Sequence, residues 1–101
     1  MRSFDPIMPG EVATLSFEFA RELPAGVTID SVGQTTVELL RGTDPAPESI
    51  LVGAAALAGT DVLQRVAVDV DGASYLVTAV ANLSDGQVRK LPAALPVRKI
   101  I

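Results

Sequence analysis

The sequence predicts an all-β fold, a small antiparallel sandwich, on three observations. Apolar residues recur with a period of two, turn residues punctuate the chain at short intervals, and no segment carries a capped, striped helix. With 101 residues the chain is expected to form one domain, 1–101, burying roughly 60 to 70% of its unfolded surface without disulfide or metal support. Hydrophobic residues make up 49% but aromatics only 4%, so the core must be built from Val, Leu, Ile and Ala.

The first element is "EVATLSFEFAR", where Ala13, Leu15, Phe17 and Phe19 share one parity and Thr14, Ser16 and Glu18 the other. That period predicts a strand with one buried face. Pro24 and Gly26 then make a turn. "VTID" and "TTVELL" are rich in β-branched residues, and Gly33 between them predicts a bulge, a bend or a switch between sheets. A helix over Val37 to Arg41 is the rival reading, but it has neither cap nor stripe.

"GTDPAPES" is a loop, since Pro45 and Pro47 oppose helix and interior strand alike. In "ILVGAAALAGT" we expect a short strand over Ile50 to Val52, a corner, and a tight approach to the next strand. From Val62 the runs "VLQRVAV", "SYLVTAVANL" and "QVRKL" are separated by Asp71-Gly72 and Asp85-Gly86. Two-residue Asp-Gly loops suit type I′ hairpins, so the expectation is a C-terminal three-strand meander.

Such loops set Val70 opposite Ala73, Val68 opposite Tyr75, Leu83 opposite Val88 and Ala81 opposite Lys90. One face then collects Val62, Val66, Val68, Tyr75, Val77, Ala79, Ala81, Leu83 and Val88. The other carries a polar row of Asp61, Asn82 and Arg89, with Leu63, Leu76, Val80 and Leu91 among it. The tail "LPAALPVRKII", with two prolines, reads as an edge or as a strand interrupted before "PVRKII" pairs again. Together these elements indicate an immunoglobulin-like sandwich without the Cys and Trp of antibody domains.

Chemistry is sparse. The chain has no cysteine and no histidine, which removes thiolate nucleophiles, disulfides, the usual zinc ligands and a histidine-based triad for Ser74, Thr78 or Ser84. A net charge of -4 disfavours a nucleic-acid binder. Arg89-Lys90 and Arg98-Lys99 are short pairs, not a patch. "VDVDGASY" resembles the start of a calcium loop, but with Gly72 at loop position 6 the first ligand position falls on Ala67 and the twelfth on Thr78. Two ligands are missing, and the stretch reads as a corner.

No spacing selects an acid and base pair from Asp5, Glu11, Glu18, Glu38, Asp44 and Glu48. "GAAALAG" lacks the Lys-Ser or Lys-Thr of a phosphate loop. No cofactor and no metal are therefore expected. The opening "MRSFDPIMPGEV" has no apolar signal-peptide region, and the uncharged run Ser49 to Thr60 is too short to span a bilayer. A soluble protein made inside the cell is the expectation.

"MPGEVATLSFEF" followed by "LPAGVTIDS" resembles the opening of the bacteriophage fibre-tail adaptor family, through Pro9 and Glu11, Phe17, Glu18 and Phe19, and Gly26 and Ile29. "DGASYLVTAVANLSDGQVRKLPAALPVR" is similar to that family's Gly-x-x-Tyr strand, Asp-Gly hairpin and closing strand, through Gly72, Tyr75, Thr78, Asp85, Gly86 and Val97. The likeness is looser between Ser31 and Ala67. It lacks the family's aromatic at Leu15 and the Trp common at Phe19.

The resemblance implies a non-enzymatic virion component, made in the host cytoplasm and present in several copies. It would join the tail to fibres or spikes by contacts with other tail proteins (tube, connector, fibre or spike), without nucleic-acid binding or membrane insertion. Two arms, the N-terminal arm 1–9 and the Pro-rich closing segment 92–101, suit a protein finished by its neighbours. Expected partner contacts are Phe4, Pro9, Leu63, Leu76, Leu91, Ile100 and Ile101. A carbohydrate-binding or adhesive module is the alternative; it needs exposed aromatics, for which Phe4 is the candidate.

Overall fold

The computed structural model describes residues 2–99. Its eight strands are β1 (Arg2–Ser3), β2 (Val12–Glu18), β3 (Ile29–Val32), β4 (Thr36–Arg41), β5 (Leu51–Ala58), β6 (Asp61–Ala67), β7 (Ser74–Leu83) and β8 (Val88–Pro96). They form a five-stranded sheet, in which β7 lies between β8 and the collinear β3 and β4 while β1 edges β8, and a three-stranded sheet ordered β2-β6-β5. This small all-β sandwich follows the B-E-D against C-F-G order of immunoglobulin constant domains, with β1 parallel on the last strand.

The expected parity holds where the alternation is clearest. Leu15, Phe17 and Phe19 are buried, and β7 alternates along its whole length, with Tyr75, Val77, Ala79, Ala81 and Leu83 facing inward. The strand ends at Glu18, earlier than expected, because the chain enters a 3-10 turn over Ala20–Glu22. The Pro24 turn follows it, with Val27 N donating to Pro24 O at 3.1 Å and Gly26 at the positive φ of 78° that a type II pattern needs at its third residue. Gly33 marks a break within one sheet, not a switch between sheets, because β3 and β4 both run along β7.

The three-strand meander does not form. Both edges of β6 are taken, by β2 and β5, so Asp71-Gly72 carries the chain across to the other sheet, where Gly72 N donates to Val97 O at 2.9 Å. Val68 and Tyr75 are therefore both core residues without being strand partners. The polar row is also absent: Asn82 Nδ2 donates to Ser31 Oγ and Arg89 Nη2 to Gln87 Oε1, each at 3.0 Å, and Asp61 lies on the other sheet.

β7 and β8 do form a hairpin, but one residue out of the expected register, with Asn82 opposite Val88 and Ala81 opposite Arg89. The loop has three residues, Ser84 to Gly86, closed by Gly86 N to Leu83 O (3.1 Å) and Leu83 N to Gln87 O (2.8 Å), with Gly86 left-handed at φ 88°. A one-residue slip exchanges the faces of a strand. Val88 is accordingly 57% exposed and Leu91 only 9%, the reverse of the expectation.

β8 is uninterrupted despite its prolines. Because Leu83 and Ala73 both bond across the ladder, to Gln87 O and Val97 N, the alternation puts Pro92 and Pro96 at positions whose nitrogens face away from β7. On that outer edge Phe4 N donates to Ala94 O (2.9 Å), Ile7 N to Pro96 O (3.1 Å) and Arg98 N to Ile7 O (3.0 Å). The N-terminal arm is thus stitched on without requiring a proline N–H.

The middle of the chain departs furthest from expectation. Pro47 opens one 3-10 turn, Pro47–Ile50, as its fixed φ permits at a first helical position. β5 runs on to Ala58, and Gly53, at φ 72°, is part of a bulge between Val52 and Ala56 in place of the expected corner.

Candidate functional site

The two bulged edges, β3/β4 in one sheet and β5 in the other, flank a cleft of about 500 Å³ lined by Val32–Thr35, Glu48, Leu51, Gly53–Ala55 and Gln64. One wall is shaped by Gly33. Its N–H donates to Val80 O at 2.9 Å, and a Cβ there would lie 2.8 Å from Val80 Cγ1, so only glycine lets the chain press so closely onto β7. Beyond this kink Thr35 turns inward, 3% exposed, and its Oγ1 has no hydrogen-bond partner. A buried hydroxyl without a partner is a cost to the fold, which makes it informative.

The other wall follows from the β5 bulge. Gln64 occupies an inward position on β6 between Val62 and Val66 and is 1% exposed. Burying an amide is unfavourable unless it is bonded. Gln64 Nε2 donates to Gly53 O at 3.2 Å, a carbonyl within the bulge, and to Arg65 O at 2.9 Å. Both amide protons are used, so Oε1 is the group left to accept. The cleft therefore combines apolar walls of Val32, Leu51, Ala54 and Ala55 with a hydroxyl and an amide, and Glu48 is the one charged residue that lines it.

A second polar feature holds the sandwich together. Tyr75 is fully buried at the start of β7, and its hydroxyl donates to Asp44 Oδ2 at 2.6 Å, while Ala46 N donates to Asp44 Oδ1 at 2.9 Å. A tyrosine at this place in immunoglobulin-like domains bonds back to nearby main chain; here it clasps the β4–β5 loop instead. The Tyr75 bond, followed by the Ala46 bond, holds the Asp44 carboxyl below its ordinary value, and burial followed by the bond to Asp44 pushes the Tyr75 hydroxyl up.

A depressed carboxyl stabilises the fold above its unfolded pKa, and that contribution is lost as pH falls through the folded value. Asp44→Asn is thus expected to lower stability at pH 7, with its difference from the parent shrinking on acidification below about pH 4. Urea unfolding at pH 7, 4 and 2.5 measures this; a difference that is constant with pH would refute it.

Of the expected contact residues, Leu63 and Leu76 are half-buried on the outer faces of the two sheets, Leu63 between Ser16 and Ala56, Leu76 between Glu38 and Ala94. Pro9 is half-buried in the arm. Leu91 is corrected to the core by the register of β8, and Phe4 is not exposed but packs edge-on against Phe17, with ring centroids 5.3 Å apart. Ile100 and Ile101 lie outside the described residues. Among the described residues these positions are not brought into one site.

All four aromatic rings are turned inward, Phe17, Phe19 and Tyr75 fully and Phe4 in part, so the platform that the carbohydrate alternative needs is not formed. Among the described residues no three acidic side chains converge in a way that could hold a metal ion. No helix of the described residues is long and apolar enough to cross a membrane.

Periodicity and turn signals do not reveal the cleft. Its traces in the sequence are a glutamine on the apolar parity of β6 and isolated glycines, Gly33 and Gly53, inside strand-like runs. Fold and surface together define a small all-β sandwich with two open, bulged edges. The chain matches no protein-family model and no curated protein.

Proposed function

We propose that this chain is a non-enzymatic structural component of a tailed-phage virion, an adaptor that joins the tail to fibres or spikes through protein-protein contacts. The observation that carries this reading is β5. It is an edge strand of eight residues without a charge or a proline, and Val52 (41% exposed) and Leu57 (40%) face solvent on it. Proteins that work alone blunt such edges with charge, proline or a covering segment, since the unpaired main-chain groups invite another chain. An edge left open suits a subunit completed by its neighbours.

The resemblance of both chain ends to the fibre-tail adaptors supplies the identity of those neighbours, other tail proteins, and the expectation of several copies. Quantitative mass spectrometry of purified particles of the phage that encodes the chain tests the proposal. A fixed copy number above one per particle is expected, and absence from the particle refutes it.

A further inference from the structure

We propose that the cleft between the two open edges receives an extended segment of a partner protein, one that carries an amide side chain beside a basic residue. Three independent features select this occupant. First, β3/β4 and β5 are both outermost in their sheets and border the cleft where the chain breaks between β3 and β4 at Gly33 and where β5 bulges at Gly53, so their cleft-side edges have no strand paired to them. An extended polypeptide pairs with such edges along its length.

Second, the buried Thr35 Oγ1 has no partner and Gln64 has spent both of its donors. A Gln or Asn side chain offers both an acceptor for the threonine hydroxyl and a donor for the Gln64 carbonyl, which a carboxylate or a hydrocarbon does not. Third, Glu48 gives the lining its single charge, which favours Lys or Arg next to the amide over Asp or Glu. This occupant is independent of the adaptor reading, because virion content does not bear on what the cleft binds.

The test is a titration of the ¹⁵N-labelled full chain with the capped peptide acetyl-Val-Gln-Val-Lys-amide, followed by amide chemical shifts. Saturable shifts confined to Gly33–Thr36, Leu51–Ala55 and Gln64 are expected, with millimolar affinity for so short a probe. Substituting Leu for the peptide's Gln, or Thr35→Val in the protein, is expected to weaken binding about three- to tenfold, the worth of one to two neutral hydrogen bonds.

Thr35→Val is also expected to leave the melting temperature unchanged or raise it, because it removes an unpartnered buried hydroxyl at nearly constant shape. A merely structural threonine would lower both or neither. Shifts that are absent or scattered, or equal binding by the Leu peptide, overturn the proposal. So does concentration-dependent broadening of the same amides without peptide, which would assign the cleft to a second copy of this chain.

Discussion

Tyr75→Ala is expected to destabilise the domain by about 3 to 5 kcal/mol, the range for removing a large aromatic from a packed core. The side chain is fully buried on the central strand of the larger sheet, with Leu95 opposite it on β8 and Leu39 opposite it on β4. Truncation removes more than packing, since the Asp44 carboxylate accepts the hydroxyl's hydrogen bond at this end of the sandwich. The β4–β5 loop is then left without its tie to the core.

Tyr75→Phe separates the two contributions: it keeps the ring and deletes the clasp, so its loss is smaller, and it fades in acid as Asp44 becomes protonated. Urea unfolding of both variants is the measurement. For a chain of this size a loss of 3 kcal/mol corresponds to a melting temperature lowered by more than about 10 °C. A loss below about 1.5 kcal/mol for Tyr75→Ala would show that this end of the core is not close-packed.

Much of the sandwich was legible because the core face of a strand is set by parity, and parity survives an error in partner. Parity places the apolar inward residues of β6 and β7 on the core face although the two strands lie in different sheets, and leaves out only the inward Gln64. What parity cannot supply is the partner itself. Asp71-Gly72 and Asp85-Gly86 are the same dipeptide, yet the first lets the chain cross between sheets and the second is part of a three-residue hairpin loop with a bulge.

The distinction lies in long-range bonds, Gly72 to Val97 in one case and Leu83 to Gln87 in the other, which no local pattern contains. The hairpin error mattered more, because a single extra loop residue moved Leu91 from surface to core and Val88 the other way. The cleft was hidden for a related reason. A strand break at Gly33 in one sheet and a bulge at Gly53 in the other make it, and each appears in the sequence only as a glycine in a strand-like run.

Gly42→Ala is the second substitution with a large expected effect, though Gly42 is exposed and lies just past the end of β4. Its φ of 88° is left-handed, which costs an ordinary residue about 1 to 2 kcal/mol. The added methyl would also lie 2.9 Å from Ala73 Cα and 3.1 Å from Gly72 O. Those are main-chain atoms, and they cannot retreat: Gly72 N and Ala73 O are both bonded to Val97 on the far side, at 2.9 and 2.8 Å.

Overpacking against a fixed wall adds about 1 to 3 kcal/mol, for a total of about 2 to 5. Gly26→Ala is the control, because Gly26 has a similar φ of 78° but nothing within 4 Å of the place a methyl would take. It should show the conformational cost alone, and the gap between the two variants in urea unfolding measures the crowding. Equal losses would mean that β4 and the start of β7 can separate freely, and the Asp44–Tyr75 clasp two residues further on would then carry that junction by itself.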